Sequence, residues 1–461
     1  MSTAKSSRND LIKWAVCVIL GAVCFLIPES ELFTFNAKVF IAVTVAALAI
    51  CAFELVPTIF VSILMPALWI FFKAAPVDVV MSSWVSTLPL MIVGAFFMAA
   101  SLEQCGLLRR VAFYLLCKVK GSYFGLLLSI FLIGVLMNII TSGRGYLIMA
   151  ALAFGLCVSM DGMQKKLGAG LASAVLIGGC TAHVYTYQAS GWGLLLQIAE
   201  NTVGPLDITP LSIIIHNLPM FFVSFVLVWI AAKMFKLDEP LGEISWFKEQ
   251  LEKMGPISRE EKVNAVMLII LLLYVFTADF TGLDVNLGFA IIPWMVYLPF
   301  LNGTKRETIK KVDYTMVFFI ISCASIGTVA SNLGLGDALA GAMTSLLGGS
   351  TNPFVVVALI FIIVFALNFL MTPTAICALM MAPILTMVTN MGFEPEAFAY
   401  AVSGCTEAII FPYEYVPYLV VYGFGMMRMN DFIKFNIVRS IIVFFTFVFL
   451  LTPWWMLFGL M

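Results

Sequence analysis

The chain has 461 residues, 62% of them hydrophobic and 11% charged, with a net charge of −1 and a mean hydropathy of +1.05. Soluble domains hold roughly 45–50% apolar and about 25% charged residues, so this composition excludes a soluble enzyme or nucleic-acid binder and indicates an all-α polytopic membrane protein. Apolar runs near the roughly 20 residues that cross a bilayer recur from residue 11 to 460 and leave no room for a large soluble domain.

In chain order, the first apolar run, 11–28, lacks a small-residue cleavage site and reads as a retained helix rather than a signal peptide. Spans are expected at 38–52 and 55–74, then a re-entrant hairpin at 84–104, where Gly94 interrupts an apolar stretch too short to cross twice. A broken helix is expected at 123–160, with NIITSGRGY at its centre, followed by the polar run IGGCTAHVYTYQASG at 177–191. The charged segment 236–263, amphipathic around Trp246–Met254, reads as a cytoplasmic linker. Spans at 264–278 and 283–301 come next, then a second hairpin at 314–333 around Gly327 and a second broken helix at 353–386 around NFLMTPTAICALMMAP. The third polar run of this half is CTEAIIFPYEYVPY, 405–418. Hydrocarbon cannot satisfy loose N–H and C=O groups, so interrupted spans survive only against protein or a water-filled cavity.

The halves repeat. Gly106 aligns with Gly334 and Gly121-Ser122 with Gly349-Ser350 at an offset of 228, Asn138 with Asn368 at 230, and Thr181 with Pro412 at 231. This indicates two homologous repeats, 1–235 and 264–461, of inverted topology, the arrangement used for alternating access. Basic clusters at Lys5, Arg8 and Lys13, at Arg109 to Lys120, at Lys165-Lys166, at Lys233 to Lys262 and at Lys305 to Lys311 place the N-terminus and these loops in the cytoplasm of a cell (inner) membrane. The C-terminus, with Trp454 and Trp455, is expected on the far side.

Arg144 is the boldest residue, because a charge at mid-bilayer normally faces a cavity or a partner. Gly143 and Gly145 allow close approach of backbone and ligand, Thr141 and Ser142 offer hydroxyls, and a guanidinium suits a carboxylate, sulfonate or phosphate. Glu414, between Tyr413 and Tyr415, could bind a cation, carry a proton or pair with Arg144. His183, at the matching turn of the first repeat with Thr181 and Tyr185, could share a proton or donate to an anion. Thr372, Pro373 and Thr374 break the second apolar stretch and expose N–H groups, so half-helices beginning near Gly143 and Thr374 should aim positive ends at one pocket. Glu54 and Asp337 read as helix-end or loop ties, and Glu407 and Asp279 are noticeable acidic residues in apolar surroundings. Ten scattered cysteines and two histidines show no metal spacing, and no P-loop or dinucleotide fingerprint supports ATP-driven transport, redox chemistry or a bound cofactor.

The order of FELVP (53–57), LEQCGLLRR, the first broken helix, IGG (177–179) and FPYEYVPYLVVYGFGMMRMNDFIKFNIV (411–438) resembles the divalent anion:sodium symporter family of dicarboxylate, citrate and sulfate carriers. The resemblance implies a homodimer in which a scaffold holds a transport unit that moves as an elevator. It also implies that the family's Ser-Asn-Thr positions, here Thr141-Ser142-Gly143 and Thr372-Pro373-Thr374, meet substrate, and that Asn138 and Asn368 lie where a sodium ligand is expected. The function expected is ion-coupled symport or exchange of a small organic anion, most simply a carboxylate, with Na⁺ or H⁺ as coupling ion. Arg144 would supply part of what sodium supplies in relatives, and Glu414 would pair with it or carry the proton. Alternatives are a proton-coupled carrier of a zwitterion or sulfonate, an anion channel, and a transport-dead sensor.

Overall fold

The computed structural model describes residues 8–26, 28–29, 33–53, 55–117, 122–237, 246–301, 303–347, 350–369 and 371–461. Lys5, Glu54, Lys118, Lys120, Gly121, Gly349 and linker residues 238–245 lie outside the described residues, as do the side chains of Arg8, Asp279 and Asp337. The first half holds α1 (Arg8–Val23), α2 (Phe35–Ala52), α3 (Thr58–Phe71), a short α4 (Val77–Val80), α5 (Leu88–Cys105), α6 (Leu107–Leu116), α7 (Tyr123–Ile140), α8 (Gly145–Ser159), α9 (Lys166–Val175), α10 (Ala189–Thr202), α11 (Pro210–His216) and α12 (Leu218–Met234). The amphipathic linker helix α13 (Trp246–Lys253) leads to α14 (Arg259–Thr281), α15 (Val285–Ile291), α16 (Tyr314–Asn332), α17 (Leu335–Leu346), α18 (Pro353–Asn368), α19 (Pro373–Asn390), α20 (Glu396–Cys405), α21 (Val416–Gly423), α22 (Met429–Thr446) and α23 (Thr452–Leu457).

The landmarks that define the repeat recur as structural devices. Gly106 and Gly334 both adopt left-handed backbone, φ 86° and 71°, and let α5 turn into α6 as α16 turns into α17. Thr181 and Pro412 each open a short 3₁₀ turn. The cap that starts the next helix shifts slightly: Ser122 caps α7, but Asn352, two residues beyond Ser350, caps α18. The repeats run in opposite directions. Gln104, at the end of α5, accepts a 2.7 Å hydrogen bond from Thr308, just before α16 begins, and Asn201 at the end of α10 meets Thr328 late in α16. The protein is thus an all-α polytopic membrane protein of two inverted repeats.

The helical hairpins lie elsewhere than the sequence suggested. Residues 88–105 and 314–332 are each one uninterrupted helix, so the hairpins expected at 84–104 and 314–333 are corrected to single spans. Gly94 and Gly327 are packing residues there: a Cβ on Gly94 would overlap the carbonyl oxygen of Phe289 at α15, and one on Gly327 would press on Ile198 of α10. The hairpins are instead the stretches expected as broken helices. After α7 the chain turns at residues 141–144, and Tyr123 at the start of α7 donates its hydroxyl to the carbonyl of Lys166, just beyond α8, so both open ends lie on one side. In the second repeat the chain likewise breaks between α18, ending at Asn368, and α19, beginning at Pro373. The discontinuous spans follow, as α9, a π-helical turn (Leu176–Cys180), the Thr181–Val184 turn and α10, and as α20, the Pro412–Glu414 turn and α21. Gly94→Val should cost about 1–3 kcal/mol by overpacking against backbone that cannot yield. A thermal melt in detergent showing no loss would remove Gly94 as the α5–α15 contact.

Candidate functional site

Each hairpin is pinned to the break of the span after it by one buried asparagine. Asn138 donates through Nδ2 to the carbonyl of Gly179 at 2.7 Å, and Asn368 donates to the carbonyls of Thr406 and Ala408, both at 3.3 Å. In the first repeat Gln188 fills the second half of the amide, donating to Asn138 Oδ1, while in the second repeat Asn368 Oδ1 has no hydrogen-bond partner among the described residues. The equivalent oxygen of the first repeat, Asn138 Oδ1, is thus occupied, while that of the second is free among the described residues.

The first hairpin tip is shaped for close approach. Ser142 (φ 50°) and Gly143 (φ 101°) turn the chain through left-handed backbone. Ser142 Oγ accepts a 2.9 Å bond from the Ala189 N–H at the start of α10, and the Gly143 N–H returns to Asn138 O. A Cβ on Gly143 would come within 2.6 Å of Gln188 Oε1. Thr141 is buried, with its hydroxyl spent on Met137 O. In the second tip, Thr372 and Thr374 are half-buried with no hydroxyl hydrogen bond to another described residue, and Pro373 is buried as the first residue of α19.

Four half-helices start at these tips and breaks, namely α8, α10, α19 and α21, and none has a side-chain cap of its own at Arg144, Gln188, Thr372 or Tyr415. By contrast, the arms entering from the surface, α7 and α18, are capped. Uncapped N-termini leave N–H groups and the positive end of the helix dipole free for an anion, except that the first N–H of α10, on Ala189, is already taken by Ser142 Oγ. Tyr415, where α21 begins, is within electrostatic reach of Tyr146 on α8, Cys180 at the first break, Cys377 on α19 and Glu407 at the second break.

Arg144 is 23% exposed, with its guanidinium 3.8 Å above the ring of Phe96 on α5 and 3.5 Å from Asp313, the residue that caps α16. Its carboxylate partner is therefore Asp313, and the expected pairing with Glu414 is corrected. Glu414 is buried but closes its own turn, accepting from the N–H groups of Ile410 and Phe411 at 3.2 and 2.9 Å.

A second charged centre, unnamed by motif, lies deeper. Arg439 of α22 and Glu407 at the second break are both 0% exposed. Arg439 donates to Glu407 Oε2 at 2.9 Å, to Thr181 Oγ1 at 2.8 Å and to the Glu407 carbonyl, with its guanidinium 5.0 Å over the Tyr418 ring, while Tyr418 donates to Glu407 Oε2 at 3.0 Å. Glu407 Oε1 faces His183 Nδ1 at 3.3 Å, a nitrogen that also lies 3.1 Å from the Cys180 carbonyl. Thr181 and His183 thus serve this centre, which ties the first break to the second. Tyr185 is buried edge-on against Phe221. The signal for Arg439 was available, as a lone cation in the apolar run FNIVRSIIVFF. Asp313, Phe96 and Gln188 carried no such mark.

The family described as the sodium:sulfate symporter transmembrane region matches residues 8–461. The L-tartrate/succinate antiporter of Escherichia coli is 21% identical over 390 residues, covering 80% of this chain and 79% of that protein. Dicarboxylate transporter 1, chloroplastic, of Arabidopsis thaliana is 24% identical over 300 residues, covering 60% of this chain and 54% of that protein. Among solved structures, the YdaH transporter of Alcanivorax borkumensis shares the fold at a TM-score of 0.55 and 16% identity, over 98% of this chain and 97% of that one. A family match along nearly the whole chain, on a fold of paired hairpins and broken spans, shows that this protein belongs to the sodium:sulfate symporter transmembrane-region family of membrane transporters.

Proposed function

We propose that the protein is a secondary carrier of small dicarboxylates, of the size of succinate or tartrate, and that it moves them by displacing the hairpins and broken spans as a unit against α5 and α16. The observation that carries this reading is that the half-helices beginning after Arg144, Thr372 and Tyr415 have no side-chain cap of their own, with α8 packed on α21 and the Arg144 cation at the start of α8. Two carboxylates need positive partners at two places. Arg144 with the α8 terminus offers one, and the α19 terminus with the Thr372 and Thr374 hydroxyls offers the other. A coupling cation, Na⁺ or H⁺, would be served by Asn368 Oδ1 or by the His183–Glu407 pair.

The test is uptake and counterflow of labelled succinate, tartrate, citrate and sulfate in proteoliposomes, each with sodium, with potassium and at two pH values. A hydrogen bond to a charged group contributes about 1.5–3 kcal/mol, so Arg144→Gln should weaken apparent succinate affinity by roughly 10- to 100-fold. Unchanged affinity in that variant would remove Arg144 from the substrate site.

A further inference from the structure

We propose that Asp313 is a positioning residue that makes movement of the hairpin conditional on cargo, by holding Arg144 until a substrate carboxylate takes its place. The inference rests on the carrier reading above and adds the mode of transport: exchange in preference to net flow.

The argument begins with what each partner belongs to. Arg144 stands at the tip of α7–α8, a hairpin packed on α9, the π-helical turn and α12. Asp313 and Phe96 belong to α16 and α5, which pack on α3 and α15 respectively. The Arg144–Asp313 pair and the Arg144–Phe96 contact therefore cross the seam that a moving hairpin must slide along. Any displacement of the tip past α16 by more than an ångström or so separates them.

Exposure decides that this pair, unlike the deeper one, is exchangeable. The side chains of Arg144 and Asp313 are 23% and 46% exposed, while Arg439 and Glu407 are both at 0%. At 3.5 Å the contact is a loose one, and its second carboxylate oxygen is already committed to the α16 cap, where Oδ1 accepts from the Met316 N–H at 3.1 Å. A free carboxylate offers a bidentate fork that Asp313 cannot. A cavity of about 290 Å³ lies nearby, between Ala100, Glu103, Gln104, Gly106, Arg109 and Lys311. Glu103, one wall of that cavity, is within electrostatic reach of Arg144.

The cycle follows. With no cargo, Arg144 rests on Asp313 and the ring of Phe96, and the tip stays against α16. Cargo replaces Asp313, the charge on Arg144 is carried within the hairpin, and the seam is released. An empty carrier returns slowly because its Arg144 has no anion but Asp313. A ligand can shift a conformational balance only by its differential interaction with the two states, and here the difference is the loss of one competitor for Arg144.

Asp313→Asn tests this, because Oδ1 keeps the α16 cap while the charge is removed. In proteoliposomes loaded with labelled succinate, wild-type efflux into succinate-containing medium should exceed efflux into anion-free medium by about tenfold, the factor that 1.4 kcal/mol gives. The variant should narrow that gap to about threefold or less and tighten apparent succinate affinity about two- to fivefold, since the competent state no longer competes with Asp313. Loss of a merely structural cap would move neither in that direction, and Asp313→Glu should restore the wild-type ratio. Wild-type net efflux as fast as exchange overturns the inference, as does an unchanged ratio in Asp313→Asn or weaker affinity with both fluxes lost. No movement of any labelled anion in the wild type, in either medium, sinks the carrier reading and the inference with it.

Discussion

Glu407→Leu should lose a large share of the protein's stability and melt far below wild type, whereas the double variant Glu407→Leu/Arg439→Met should recover much of that loss. Removing one member of a buried pair strands the other charge, a loss of about 3–5 kcal/mol, while replacing both with apolar groups of similar volume is often near neutral. Domains are stable by only about 5–15 kcal/mol in total. Arg439 without Glu407 keeps Thr181 Oγ1, the Glu407 backbone carbonyl and the Tyr418 ring, but no anion. The double variant leaves Thr181 and Tyr418 without their charged partners, so recovery should be incomplete. Fluorescence-detected size exclusion and a thermal melt in detergent read the result directly. A single variant as stable as wild type would mean that the centre is solvated during folding or is not ionised.

The second large effect falls on the first hairpin tip. Gly145→Val places a side chain where even a Cβ would lie 2.6 Å from Asn138 N and 2.7 Å from the carbonyl carbon of Met137. Both neighbours are backbone of the opposite arm, so the hairpin must open and draw Asn138 away from Gly179 O. Succinate counterflow should fall below detection, a loss of at least about 100-fold, equivalent to roughly 2.7 kcal/mol. The matched control is Gly191→Ala on α10, where an added Cβ meets nothing within 4 Å and transport should be retained. Equal activity in both variants would show that the tip tolerates an open arm and that the Asn138 tie is dispensable.

The two asparagine ties are not equivalent in their hydrogen bonding. Gln188 donates to Asn138 Oδ1, so the first amide is saturated from both ends. Asn368 Oδ1 is buried and unpartnered among the described residues, an arrangement that costs free energy unless a water, proton donor or cation joins it. The asymmetry arises from one side chain at position 188, where the second repeat has no glutamine in its Tyr415-Val416-Pro417-Tyr418 run.

Much of this molecule was legible before any coordinates. Length and hydropathy alone required a multi-pass helical protein. The positions of the breaks at 141–144 and around 372–374 followed because polar backbone in a lipid-length apolar run must be satisfied by protein or cavity, and the repeat offset carried Gly106 onto Gly334 and Thr181 onto Pro412 as equivalent turns. Tertiary structure decided the rest. Gly94 has the same appearance in a sequence whether it reverses a chain or admits a neighbouring carbonyl, and only the approach of Phe289 shows that it does the second. Arg144 was expected to pair with Glu414, and the acid it meets, Asp313, is 169 residues away at the cap of a helix of the other repeat. Glu407 and Arg439 were visible as single charges in apolar runs, but their pairing is a distance, 2.9 Å, created by packing α22 against the two breaks. Periodicity and composition report what each segment requires of its surroundings; which partner satisfies it is set by the fold, because charge pairing and close packing depend on separation in space rather than along the chain.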